Sequence, residues 1–324
     1  MSDLDDAPRR SNHPTPDNRR DRAQAGVVFV FLDGVGLAPS GPENPFSAVP
    51  MPQLRGLLGG PLVLNGFRGG QQETPAGVLL RALDACLGVP GLPQSATGQT
   101  ALFTGINAPA LIGQHVTAYP IQALRDVIAE HSVLKRAAES GARVIFANAH
   151  SQRFWEMIEK KKRRMGASTL TALAAGATIP TLEDLHQGQA VLWDITHEIA
   201  TGHLDFDLPL VSPEEAGRRL ATLAARYDLV LYESFLPDLA GHRRIEPEWV
   251  LTRLDAFLGS LVAHLPRGVT LVICSDHGNL EDTTTKAHTA NPVPLVVTGP
   301  AMSHFVQAKA ITDVAPAILS ALAG

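Results

Sequence analysis

Cysteine is almost missing from this sequence. The two that occur, Cys86 and Cys274, stand far apart and in no metal or redox spacing. That excludes a disulfide-stapled scaffold and suits a reducing compartment. Long apolar runs are missing too. No stretch reaches the roughly 20 residues a bilayer span needs, and residues 1–24 hold no apolar core of a secretory leader. An excess of basic residues is also lacking. Lys and Arg number 27 against 32 Asp and Glu, a formal net charge of −5 with a pI near 6.2. The chain therefore has no general hold on nucleic acid or anionic membrane, and any phosphate recognition must be local. These absences lead to the expectation of a soluble cytoplasmic protein. What is present is a hydrophobic content of 45%, enough for a proper core, on a length that permits one large domain or two ordinary ones.

Met1 to Gln24 is rich in Asp, Arg, Asn and Pro and predicts a disordered tail. Val27–Leu32 reads as a buried strand, as do Arg143–Ala147, Leu229–Glu233, Thr270–Cys274 and Val293–Thr298. Residues 54–92 are mixed and Gly-rich and yield no order of elements. Small residues from Gln94 lead into a helix placed near Thr97 or Gly98. Ile121–Gly141, Phe154–Arg164 and Ser168–Ala175 read as helices of a smaller inserted unit between Asn107 and Asp207. Ser212, Pro213 and Glu215 form a capping-box signature for a helix to about Tyr227. Pro247–His264 is an amphipathic helix and Ile311–Ala323 closes the chain. The alternation of strands and helices is that of an α/β fold.

Residues with ligand chemistry gather just past the strands, where open α/β sheets bind ligands. Asp33 follows the first strand and leads into a Gly34-Val35-Gly36 turn. Asp276 and His277 follow another strand and offer one hard oxygen and one imidazole nitrogen, a mix that suits zinc or manganese. Asp238 and His242 are four apart, which puts them on one face of a helical turn. His288 lies a little further on. A hydroxyl at a helix N-terminus, Ser95 or Thr97, sits where amides and the dipole stabilise a phosphoryl group. Each has a plain structural alternative: a turn carboxylate, an N-cap, a surface pair. Lys160–Arg164 is a solvated helix face or a source of cations for a phosphorylated substrate, and Arg153 is an equal candidate for that contact. His197, Glu198 and His203 read as polar groups of the insert rather than ligands. Together, three carboxylates, three imidazoles and a hydroxyl can hold two divalent ions, the arrangement phosphoryl transfer uses.

The motifs Phe31-Leu32-Asp33-Gly34-Val35-Gly36, Ser95-Ala96-Thr97-Gly98, Asp238-Leu239-Ala240-Gly241-His242, Ser275-Asp276-His277-Gly278-Asn279 and His288-Thr289-Ala290-Asn291-Pro292-Val293-Pro294 resemble, in order and spacing, the metalloenzyme core of the alkaline phosphatase superfamily. The nearest branch is that of cofactor-independent phosphoglycerate mutase and phosphopentomutase. The resemblance implies an alkaline-phosphatase-like core sheet flanked by helices over residues 25–106 and 208–324, and a smaller α/β cap at 107–207; closure of that cap over substrate by a hinge near Asn107 and Asp207 is a further hypothesis. It implies one ion on Asp33, Thr97, Asp276 and His277 and another on Asp238, His242 and His288, with manganese or zinc favoured and magnesium the third option. It implies Thr97 as nucleophile, through a phosphothreonine. The insert is shorter than that of the phosphoglycerate mutases. The expected activity is that of a phosphomutase or phosphohydrolase acting on a small phosphorylated metabolite. The competing readings are a sulfatase or phosphodiesterase of the same superfamily, and a non-catalytic metal-binding protein whose cap docks a partner.

Overall fold

Seven apolar residues in a row, Gly26–Leu32, make strand β1, and every one of them is buried. Such a run fits only a strand covered on both faces. The structure, a computed structural model, describes residues 26–66, 71–74, 76–203 and 208–324; the tail expected at Met1–Gln24 lies outside them. The other strands are β2 (Gln71–Glu73), β3 (Leu79–Leu83), β4 (Val144–Phe146), β5 (Leu229–Ser234), β6 (Val269–Cys274) and β7 (Val293–Thr298). They form one sheet in the order β2-β3-β7-β6-β1-β5-β4. β1 lies parallel to β5 and β6, with Leu32 opposite Ser234 and Phe31 opposite Cys274. Their carboxyl ends therefore finish at one edge. β7 runs antiparallel to β6, so the segment before β7, which carries His288, arrives at that edge from the other direction. The short antiparallel strands β2 and β3 extend the sheet beyond β7 and account for the region whose order could not be read.

Side chains alternate across a strand, and β1 feeds two cores. Val27, Phe29 and Phe31 pack with helices Ser95–Thr104, Gln122–His131, Val133–Glu139, Ala167–Ala174 and Val314–Ala323. Val28, Val30 and Leu32 pack with helices Pro52–Leu58, Pro213–Ala224 and Pro247–His264. The result is helix, sheet, helix in three layers. Among the described residues no helix is long and apolar enough to cross a membrane.

The insert departs from expectation. β4, drawn from it, pairs with β5 as the edge strand of the main sheet. Leu124, Ile128, Leu134 and Leu170 share one apolar cluster with Phe29 and Phe31. Residues 107–175 are thus built into the core rather than standing off as a cap, because their apolar helix faces find the sheet itself. Of the hinge expected near Asn107 and Asp207, the second end, Asp207, lies outside the described residues. Local readings shift as well. The helix expected over Ile121–Gly141 is two, and Ser132 caps the second through Lys135 N–H. Ser212 caps its helix through Glu215 N–H, but the Glu215 carboxylate turns to Arg218 and Arg219 instead of completing a capping box.

Candidate active site

The helix Ser95–Thr104 begins two residues earlier than its sequence suggested. Its N-cap, Gln94, makes no side-chain capping bond, so nothing in the residue type signals the start. The helix is pinned to β1 by Phe103, whose ring stands edge-on to Phe31 at 5.2 Å and Phe29 at 6.0 Å. Its buried Thr100 and Thr104 hydroxyls donate back to Ala96 O and Thr100 O, which lets polar side chains sit inside.

This early start changes where the two hydroxyls near the helix N-terminus stand. Thr97 is 0% exposed. Its Oγ1 donates to Gln94 O at 3.2 Å and accepts from Val116 N at 3.2 Å. Both of its capacities are spent on the helix start and the neighbouring loop. Ser95, the first residue of the helix, is partly exposed, and its Oγ lies 3.1 Å from His277 Nε2. Ser95, not Thr97, therefore faces the His277 ring.

Around His277 Nε2 the other oxygens converge. Asp33 Oδ1 is 3.3 Å away and Asp276 Oδ2 3.5 Å. Gln99 Nε2 donates to Asp33 Oδ2 at 3.1 Å and fixes that carboxylate. Gly34 is in the left-handed region at φ 76°, and a Cβ there would lie 2.8 Å from Asp238 Cα, so only glycine lets the β1 loop approach the Asp238 helix. On helix Leu236–Gly241 and its C-cap, Asp238 Oδ1 lies 3.4 Å from His242 Nε2. His288 Nε2 is 3.6 Å from the same oxygen. The two groups adjoin: the rings of His277 and His288 stack with centroids 3.6 Å apart. Asp33, Asp238 and His277 also offer ligand atoms within 4.8 Å of one another, as do Asp238, His242 and His288.

The donor chemistry fits divalent cations. The Nδ1 of His242 faces Lys286 O at 2.8 Å, that of His288 faces Pro93 O at 2.9 Å, and that of His277 faces Gly278 O at 3.4 Å. A carbonyl only accepts, so each Nδ1 carries a proton and each Nε2 is turned to the carboxylates, the orientation metal-bound histidines have. Both oxygens of Asp276 are buried without a hydrogen-bond partner among the described residues, a cost that a cation would offset. The electrostatics agree. Burial and the charge of Asp33 push the Asp276 and Asp238 carboxyls up, Asp276 strongly. Burial opposes charge on His277, but Asp276, Asp33 and Asp238 outweigh it and raise its pKa to about 10. Burial and then the charge on His277 lower His288 to about 4.

The remaining candidates fall elsewhere. Arg153 stands exposed on helix Gln152–Glu159, which follows the end of β4. Lys160–Arg164 are all exposed, and Arg163 covers the Phe154 ring at 5.0 Å. His197 Nδ1 donates to Pro209 O, and Glu198 pairs with Arg253; the His203 side chain lies outside the described residues. Gln99 and Glu233 were not singled out by sequence, and Ser95 was named there beside Thr97 without being chosen as nucleophile. Glu233 is buried on β5, accepts from Ser168 Oγ at 2.6 Å, and leaves Oε1 unpartnered. Burial raises its pKa to about 8 against the Ser168 bond, with Asp33 and Asp276 adding to the rise. Its signal was a carboxylate inside a predicted buried strand.

The family model of the Metalloenzyme superfamily matches residues 208–323, the stretch that carries Asp238, His242, Asp276, His277 and His288. Over that stretch, about a third of its length, the chain is similar to the Metalloenzyme superfamily. Its curated relatives include the 2,3-bisphosphoglycerate-independent phosphoglycerate mutases of Paracoccus denitrificans, 29% identical over 42% of this chain and 29% of that protein, and of Desulforudis audaxviator, 33% identical over 36% and 25%. The chain thus spans less than a third of these relatives' length. Among solved structures, the PH0037 protein of Pyrococcus horikoshii covers 93% of this chain and 97% of its own at a TM-score of 0.54 and 13% identity. A cold-active alkaline phosphatase from a psychrophilic Shewanella covers 91% and 99% at 0.50 and 14%. The chain therefore shares an alkaline-phosphatase-like fold with both.

Proposed function

We propose that this protein is a two-metal phosphoryl-transfer enzyme acting on a small phosphorylated metabolite, with Ser95 as nucleophile. The observation that carries the reading is Ser95 Oγ at a helix N-terminus, 3.1 Å from His277 Nε2, beside the buried, unpartnered Asp276 carboxylate. Asp33, Asp276, His277 and Ser95 form one ligand group, and Asp238, His242 and His288 the other. Divalent cations held there, manganese or zinc by the imidazole content, would lower the pKa of the serine hydroxyl and screen the charge of the phosphoryl group. The protein's own residues do the rest. The positive end of helix Ser95–Thr104 favours the negative phosphoryl group on Ser95. Gln99 holds Asp33, and the backbone carbonyls of Lys286 and Pro93 hold His242 and His288 with Nε2 inward. Arg153 is the candidate contact for the distal part of the substrate.

The test is a screen of phosphorylated sugars and glycerates with manganese, zinc or magnesium, following released phosphate and isomerised product together. Isomer without phosphate identifies a mutase, and phosphate alone a phosphohydrolase. Metal binding without either product across the panel would count against the reading and favour a binding protein.

A further inference from the structure

Glu281 belongs to neither ligand group, yet its carboxylate joins the loops that carry them. It is 1% exposed. Its Oε2 accepts the backbone N–H of Gly36 at 2.9 Å and of Asn279 at 2.8 Å. Its Oε1 accepts from Asn291 Nδ2 at 3.0 Å and from the hydroxyl of Thr289. Gly36 is in the loop of Asp33, Asn279 in the loop of Asp276 and His277, and Thr289 directly follows His288. The space around it is reserved: a Cβ at Gly36 would lie 2.2 Å from Glu281 Oε1, and one at Gly278 2.3 Å from the same atom. Four donors from three loops meet one group that only accepts, a demand a carboxylate meets and an amide does not.

We propose that Glu281 is a positioning residue that fixes the spacing between the two candidate metal groups. The inference rests on the metal reading given under Proposed function. Asp33 and His277 sit in one group and His288 in the other, and Glu281 is bonded to the loops of all three. A slip of the His288 loop against β1 and β6 would move His288 Nε2 relative to Asp238 Oδ1, and metal–ligand distances tolerate only about 0.2 Å. Glu281→Gln keeps the size but sets an NH2 group against donors. Thr289 can rotate to accept from it, whereas Asn291 Nδ2 loses its acceptor. Asn291→Asp, added to Glu281→Gln, restores a matched donor and acceptor.

The full chain, stripped of metal by chelation, is titrated with manganese and separately with zinc by calorimetry, and the thermal unfolding of the stripped protein is recorded alongside. Glu281→Gln is expected to weaken binding of at least one ion by roughly tenfold or more, the usual scale for groups that orient ligands, and to lower the stripped protein's unfolding temperature while leaving it folded at the titration temperature. The pair Glu281→Gln with Asn291→Asp is expected to recover most of that affinity, and Asn291→Ala alone to lose part of it. Unchanged affinity in Glu281→Gln, or a pair that recovers nothing, overturns the proposal. If Glu281→Gln does not fold, native affinity in Asn291→Ala overturns it. A native chain that binds neither ion overturns this inference and the metal reading together; native binding with unaltered variants overturns this inference alone.

Discussion

Two hydroxyls two residues apart, Ser95 and Thr97, divide the work at the start of one helix, and exchanging them separates catalysis from structure. Ser95→Ala is expected to abolish the phosphoenzyme and lower kcat by roughly 10³-fold or more, as loss of a nucleophile does. Thr97→Val is expected to keep the phosphoenzyme and to cost about 1–2 kcal/mol of stability, since it strands the Val116 N–H. Peptide mapping of trapped phosphoenzyme decides between them: phosphate on Thr97 would sink the assignment. His150 carries a different prediction. Its ring stacks on Trp155 and meets Phe154 edge-on, and burial lowers its pKa to about 4, against the Asn148 carbonyl. The folded state therefore binds its proton less readily than the unfolded chain. Its contribution is complete above pH 6.5 and is lost as pH falls from 6.5 towards 4. That loss should be about 2 kcal/mol, discounting the full shift for partial exposure. In denaturant titrations across that window, native protein should lose stability relative to His150→Phe by that amount as pH falls. Parallel curves would remove His150 from the account.

Elements show which parts of the fold were legible. Val27–Leu32 and Thr270–Cys274 were plain because an unbroken β-branched run has few other homes. β2 and β3 were not, since Gln71–Glu73 and Leu79–Leu83 lack both a long run and a clean alternation. The convergence of the candidate ligand residues was legible because they are carboxylates and imidazoles just past strands. The start of the Ser95–Thr104 helix was placed late because Gln94 gives no capping signal, and Glu281 stands outside every motif read from the sequence. β4 was seen as a strand, but its partner was not, because pairing depends on a contact remote in sequence. That contact has a named anchor. Arg143 donates through its backbone N, Nε and Nη2 to Asp228, at 2.9, 3.1 and 3.1 Å, where β4 and β5 begin. Asp228→Asn is expected to cost about 2–3 kcal/mol, the scale for breaking a largely buried charged pair. Urea unfolding measures it; a cost below about 0.5 kcal/mol would show that the edge strand does not depend on this pair.

At the scale of the whole molecule, one sheet and one shared cluster bind residues 107–175 to the rest. Unfolding of the metal-stripped protein should be a single cooperative transition, with calorimetric and van't Hoff enthalpies in agreement. Two resolved transitions would restore an independent cap. Manganese or zinc at about 100 times its Kd should then raise stability by roughly 2.7 kcal/mol per site.

The position of β1 bears on how the chain is made. Its neighbours on either side, β5 and β6, begin only at Leu229 and Val269. At ribosomal rates of about 5–20 residues per second, β1 waits on the order of ten seconds or more before either partner emerges. During that wait seven apolar residues have open edges, the condition under which nascent strands pair wrongly. Chaperone supply should therefore set the yield of this protein at high expression more than the stability of its finished form does. Slowed translation without added chaperone should lower the soluble fraction rather than raise it.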